Sequence, residues 1–340
     1  MKKSIVYCII IVSAFAGCKR DPELVINNHQ TSVSVAVTNL PPLPAGQGHY
    51  QLWATFVVFA KPSGANAPMH DSGFVSLGEF NVTANGVLID PLDGSPARFA
   101  IPQGQDPQLI DHVILTIQGE DRGRNKIAHD EPGAAILGGM VTGTATLGIA
   151  DLSVSSPEAF GTDFSAVTGK YTITAPTSPL DSNSGVWFYE PLPPDSVGLR
   201  NLAALPPEWT YEGWVVFDHG LAATPLHEVF YSTGKFRRAD SADYDGAGPG
   251  RGPGTPLNFP GQDFIVGDST HPATPNLRDS VYSFMVTIEP DPDNSPEPFF
   301  LTLLSSVQTG GPSKPAAIAT SDMYNVIGSG LPTARVTITR

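Results

Sequence analysis

Asn201-Leu202-Ala203-Ala204-Leu205-Pro206, followed shortly by Tyr211-Glu212-Gly213-Trp214, decides how this chain is built, because an earlier stretch already carries the same pattern. Asn39-Leu40-Pro41-Pro42-Leu43-Pro44 leads in the same way into Tyr50-Gln51-Leu52-Trp53. Working outward, Ser76-Leu77-Gly78-Glu79-Phe80 recurs as Ser232-Thr233-Gly234-Lys235-Phe236. Val113-Ile114-Leu115-Thr116-Ile117 recurs as Phe284-Met285-Val286-Thr287-Ile288. Ile136-Leu137 with Thr142-Gly143 recurs as Leu303-Leu304 with Thr309-Gly310. Landmarks in one order, about 160 to 170 residues apart, describe two copies of one folded unit.

The unit is expected to be all-β. Thirty-three Pro and 34 Gly among 340 residues leave little room for long helices, since Pro removes a helical donor and Gly costs backbone entropy. The apolar runs are short and rich in β-branched and aromatic residues, as in Trp53 to Phe59, Val113 to Ile117 and Tyr282 to Ile288. Val33-Ser34-Val35-Ala36-Val37 alternates as a half-buried strand does. Turn clusters such as Pro91 to Gly94 and Asp291 to Pro296 separate the runs. Short strands punctuated by Gly and Pro predict two tandem β-sandwich domains, immunoglobulin-like or related. We place the first at residues 30–175 and the second at 185–340, joined by a linker at 176–184. Each is large enough for its own core. Gly246 to Gly254 reads as a surface loop, and Trp187-Phe188-Tyr189 opens the second unit.

The first residues give an address. Lys2 and Lys3 precede an apolar run from Ile5 to Phe15, too short to span a bilayer as a mature helix. A basic start, a short apolar core and small residues before a cut site describe a secretory signal, here residues 1–17. Phe15-Ala16-Gly17-Cys18 resembles the bacterial lipobox, which implies lipidation of Cys18 and a tether over 18–29 leading to the first strand. An ordinary secretory signal with a Cys at its cut site reads the same way. With Cys8 inside the signal, the mature chain keeps a single thiol and has no disulfide staple. Loss of Lys2 and Lys3 takes the net charge from −14 to −16. That balance disfavours nucleic acid and anionic lipid surfaces, leaving the lipid as the expected membrane contact.

At its landmarks the chain resembles the periplasmic C-terminal domain of anti-sigma-K factors. That family places a Leu-Pro segment before a Tyr-x-x-Trp strand, then a Gly-x-Phe strand, then Val-Thr-x-Glu-Pro. The second unit supplies Leu205-Pro206, Tyr211 to Trp214, Gly234-Lys235-Phe236 and Val286-Thr287-Ile288-Glu289-Pro290. The first matches until Gln118-Gly119 replaces Glu-Pro. The resemblance implies a β-sandwich outside the cytoplasmic membrane with an interaction or sensing role. A sigma-binding domain is not among the features of this sequence, so the fold carries over and the regulatory activity does not.

Chemistry is sparse. There is no Gly-x-Ser-x-Gly elbow and no phosphate loop. His227-Glu228 lacks the second His of a zincin, and His129-Asp130-Glu131 reads as a solvated turn. Asp240, Asp243 and Asp245-Gly246 put three carboxylates on a turning loop, a candidate Ca²⁺ site. The neighbouring Arg237-Arg238 offers the alternative of simple ion pairing. Of Tyr50 and Trp53, three apart on a strand, one is expected in the core and the other partly exposed. Trp187 and Trp209 are candidate stacking residues. The leading reading is a non-enzymatic envelope lipoprotein, expected at the outer membrane, whose β units bind a protein or polymer. A carbohydrate-binding or adhesin-like module and an exported hydrolase are the alternatives.

Overall fold

The computed structural model describes residues 31–43, 47–59, 68–70, 73–119, 131–178, 182–217, 228–245, 257–263, 275–293, 295–307, 320–328 and 330–340. The signal, Cys18, the tether, the Gly246 to Gly254 loop, His129-Asp130 and His227 lie outside the described residues. The architecture is all-β, and no helix among the described residues is long and apolar enough to cross a membrane.

In chain order the strands are β1 (Ser32–Thr38), β2 (His49–Phe59), β3 (Pro68–His70), β4 (Val75–Val82), β5 (Leu88–Ile89) and β6 (Ile110–Gln118). There follow β7 (Ala134–Gly143), β8 (Leu147–Ser153), β9 (Gly169–Ile173), β10 (Val186–Trp187), β11 (Tyr189–Glu190) and β12 (Ser196–Val197). The remainder are β13 (Trp209–Phe217), β14 (Val229–Phe236), β15 (Gly261–Gln262), β16 (Tyr282–Pro290), β17 (Leu301–Ser305), β18 (Thr320–Asn325) and β19 (Thr333–Thr339). A 3-10 turn, Pro107–Leu109, is capped by Asp106, whose carboxylate accepts from Gln108 N at 2.9 Å.

The duplication is visible in the pairing. One sheet runs β1-β19-β8-β7-β6-β2-β4-β5, the other β14-β13-β16-β17-β18-β9-β10-β15. Read in matching directions, β4, β2, β6, β7 and β8 answer to β14, β13, β16, β17 and β18. Register agrees to the residue: Gln51 lies opposite Glu79 and Thr116, and Glu212 opposite Lys235 and Thr287. Even the irregularities coincide, at Leu52/Trp53 and Gly213/Trp214, and again at Leu115/Thr116 and Val286/Thr287. Gly78 and Gly234 stand at the first of these bulges with φ of 150° and 114°. A Cβ there would meet Arg98 O at 2.5 Å or the Asp243 side chain at 2.6 Å. In the second copy the sheet path turns a corner between β17 and β18, which share only two residue pairs. Strand β9 therefore lies over β16, with Tyr171 on Phe284 at 4.5 Å, as in a sandwich.

The sheets do not divide where the sequence was cut. Strand β9, inside 30–175, pairs with β18 and β10 of the second sheet. Strand β19, at the far end of 185–340, pairs with β1 and β8 of the first. The segment Lys170-Tyr171-Thr172-Ile173-Thr174 matches Arg335-Val336-Thr337-Ile338-Thr339 in sequence as well as position. The Asn201 side chain donates to Ala166 O at 2.9 Å, and Asn39 to Leu331 O at 3.4 Å. Both asparagines adopt a left-handed backbone, with φ of 59° and 55°. Each copy thus uses the same seam. In the second it is closed by the strand that precedes it, and in the first by the last strand of the chain.

Closure of this kind merges the interior. Among the described residues, most of the buried apolar side chains form one contiguous cluster that runs through both copies, where two separate cores were expected. Trp209 is the joint: its ring lies 4.8 Å from Phe160 and 5.9 Å from Phe299, and its Nε1 donates to Ala135 O at 3.0 Å.

Candidate functional site

A cleft of about 880 Å³ lies where the two copies meet. Its walls are matching pieces of each. The end of β6 and the segments after it and before β7 bring Gln118, Gly119 and Gly133, and the loop after β16 brings Asp291, Asp293, Ser295 and Glu297. Gln47 and Glu208, at matching positions ahead of β2 and β13, complete it. Gln47 Nε2 bridges the cleft by donating to Ser295 Oγ at 2.8 Å.

The two walls differ in charge. The first copy contributes amides and glycines, and the second contributes four carboxylates. Arg237 engages Asp291 at 2.6 Å and also donates to Trp209 O and Pro207 O at 3.1 and 2.9 Å. Tyr244 donates to Asp291 at 3.0 Å. Lys235 Nζ donates to the Asp293 carbonyl. Glu208 and Glu297 are exposed and form no ion pair among the described residues, so the mouth of the cleft keeps its negative charge.

Behind the acidic wall the packing is polar and closed. Glu289, fully buried, accepts from Phe299 N at 2.9 and 3.0 Å and meets the Thr287 hydroxyl. The ends of the cleft loop are held together by that carboxyl. Glu212, 4% exposed, accepts from Ser232 Oγ at 2.5 Å, with Lys235 Nζ at 3.9 Å. Burial pushes Glu289 up to about 8 and Glu212 up to about 7.

The candidate residues read from sequence fall elsewhere. Trp209 and Trp187 are 0% and 2% exposed, so neither offers a ring face for stacking on a sugar. Trp209 is the joint between copies. Trp187 is pinned by Asp263, which accepts its Nε1 at 2.8 Å and Thr177 N at 2.7 Å inside the protein. Asp263→Ala strands both buried donors, and is expected to lower unfolding free energy by about 1 to 3 kcal/mol for each in a urea titration.

Tyr50 and Trp53 are both buried, although one was expected to be partly exposed. Tyr50 Oη donates to Pro41 O at 3.0 Å and Trp53 Nε1 to Thr116 Oγ1 at 2.9 Å, so both polar ends are satisfied inside. Tyr211 and Trp214 repeat both bonds, to Ala203 O at 2.9 Å and Thr287 Oγ1 at 2.8 Å.

The three aspartates do not converge. Asp240 forms a two-pronged pair with Arg238 at 2.8 and 2.7 Å. Asp245 accepts from Lys235 N at 3.1 Å. Asp243 packs on Gly234, and burial together with the Asp245 charge raises it to about 6. Among the described residues no three His, Cys, Asp or Glu side chains are placed to hold a metal ion. One His stands between acids: His112 lies 3.3 Å from Asp111 and 3.4 Å from Glu158. The nearby Ser156 hydroxyl donates to Glu158, not to the imidazole, so it lacks the nucleophile–base contact of a serine hydrolase.

No family model, no curated protein and no solved structure matches this chain.

Proposed function

We propose that this is a non-enzymatic cell-envelope lipoprotein, anchored through Cys18, whose paired β units bind or sense a protein or polymer partner. The cleft between the copies is the contact site, and the partner presents a cationic segment to it. The observation that carries this reading is the asymmetry of the cleft. Equivalent loops face each other, and only one of them is acidic, so an elongated ligand has a defined orientation. A net charge of −14 points the same way, since it favours encounter with cationic partners. The lipobox-like Phe15 to Cys18 and the resemblance to periplasmic anti-sigma-K domains support display outside the cytoplasmic membrane, and Lys19, in place of the Asp that retains many lipoproteins at the inner membrane, favours the outer membrane.

Two measurements test the proposal. In cells fed labelled palmitate, the protein takes up label and sediments with membranes, and Cys18→Ser abolishes both; label retained by Cys18→Ser would remove the anchor. With an oligolysine peptide as probe at low salt, Glu208→Gln combined with Glu297→Gln is expected to weaken binding about tenfold, each lost ion pair counting for up to about 1 kcal/mol. Asp93→Asn, an exposed carboxylate outside the cleft, serves as control. Equal affinity for all three proteins would rule out the cleft.

A further inference from the structure

The two copies build one polar network at the same register, and they differ in the groups that fill it. In the first copy Thr116 Oγ1 receives the Trp53 indole N–H at 2.9 Å and the Gln118 amide at 3.3 Å. The same amide reaches Glu131 O at 3.4 Å, which holds the returning segment in place. Gln51 donates to Ser76 Oγ at 2.8 Å. In the second copy Trp214 and Thr287 repeat the indole bond, but Glu289 stands where Gln118 would be and Glu212 where Gln51 would be. Glu289 accepts from Phe299 N with both oxygens, whereas Gln118 donates to the Glu131 carbonyl of the returning segment in the first copy.

An amide is neutral at every pH, and a carboxyl is not. In the structure the Thr287 hydroxyl donates to Glu289, the reverse of Gln118 donating to Thr116, and only a protonated Glu289 could donate as that amide does. Ionisation of Glu289 removes that donor and sets a charge inside a sheet, where it is poorly solvated. Phe299 N and the Thr287 hydroxyl donate to it and offset part of that cost, while the charged groups nearby are mostly negative. From β13 faces Glu212; from β14 face Lys235 and the Ser232 hydroxyl; from the turn after β14 come Asp243, Asp245 and Tyr244; from the cleft loop comes Asp293. Lys235 is the one cation near the pair among the described residues, at 3.9 Å from Glu212, and Arg237 is taken by Asp291.

We infer that Glu289 is a proton-operated clasp on the loop after β16, with Glu212 as the neighbouring acid, shut when the pair holds protons and loosened when both ionise. The inference concerns the loop and stands whether or not the cleft binds a cationic partner. Both groups lie above their ordinary value in the folded chain, so the native state holds protons that the unfolded chain has released. Stability is complete below about 4.5 and falls as pH rises through about 7 and about 8.

The test uses the full chain labelled with carboxyl-¹³C glutamate. Two glutamate resonances are expected to titrate near about 7 and about 8, one disappearing in Glu212→Gln and the other in Glu289→Gln. In parallel, the wild-type Tm falls from about pH 5 to about pH 9, and Glu289→Gln flattens the fall and melts higher at the alkaline end. Asp243 contributes a lower part of the slope in every variant, which the comparison cancels. Midpoints near 4.5 for both carboxyls, or an unchanged slope in both variants, would overturn the clasp. Should Glu289→Gln fail to fold, the wild-type and Glu212→Gln titrations still decide it.

Discussion

Trp209→Ala is expected to cost about 3 to 5 kcal/mol of unfolding free energy, the range for removing a large aromatic from a packed core. The site predicts the upper end. Its ring is wedged between Phe160 of the first copy and Phe299 at the end of the cleft loop, and its indole N–H is spent on Ala135 O. Truncation opens a cavity at the junction of two bodies, where neither sheet can close over it alone. The loss is read from guanidinium titration with the wild type alongside. Trp209→Phe separates packing from the hydrogen bond, keeping most of the ring and forfeiting about 1 kcal/mol for the unpaired carbonyl. If Trp209→Ala melts like the wild type, the copies do not share a core at this point.

Removal of the last strand is the second large effect. A chain ending at Pro332 is expected to lose cooperative folding of the first copy, because β19 joins β1 to β8 and the rest of that sheet. Val336 and Ile338, both 0% exposed, leave the core with it, at about 1.5 to 3 kcal/mol each. The β1 and β8 ladders also lose their partners. Val336→Asp makes the milder version, placing an unpaired charge in the same position. The readouts are near-ultraviolet circular dichroism and the breadth of the denaturation curve. The exposed Arg335–Asp151 pair, at 2.7 Å, contributes little, so Arg335→Ala is the control that leaves the transition in place. A truncated chain with an unaltered transition would mean that β19 merely decorates the sheet.

Part of the clasp was legible in the sequence. Tyr50-Gln51-Leu52-Trp53 beside Tyr211-Glu212-Gly213-Trp214 shows an amide exchanged for a carboxyl at one repeat position, and Gln118 beside Glu289 shows it at another. What the alignment of the copies cannot supply is burial. Glu212 and Glu289 look like the surface alternation of any strand until the cleft loop and β14 cover them. The tryptophans failed for the complementary reason. Aromatic residues next to turn-forming prolines read equally as platforms or as core, and only the opposing Phe160, Phe299 and Asp263 decide between them. The aspartates at 240, 243 and 245 are close in sequence, yet Arg238, Gly234 and Lys235 each claim a different one.

The chain by itself determined the all-β class, the duplication and the landmarks of the central strands. Those properties rest on local patterns: alternation on a pleated strand, glycine at a bulge, a proline-marked turn. The assignment of β9 and β19 to opposite sheets was decided by tertiary structure alone. Both strands carry the same alternating sequence and fit either seam, and hydrogen bonding along a sheet edge is indifferent to which part of the chain supplies the partner. Chain closure settled it: among the described residues the strand that fills the place between β1 and β8 is the final one, β19.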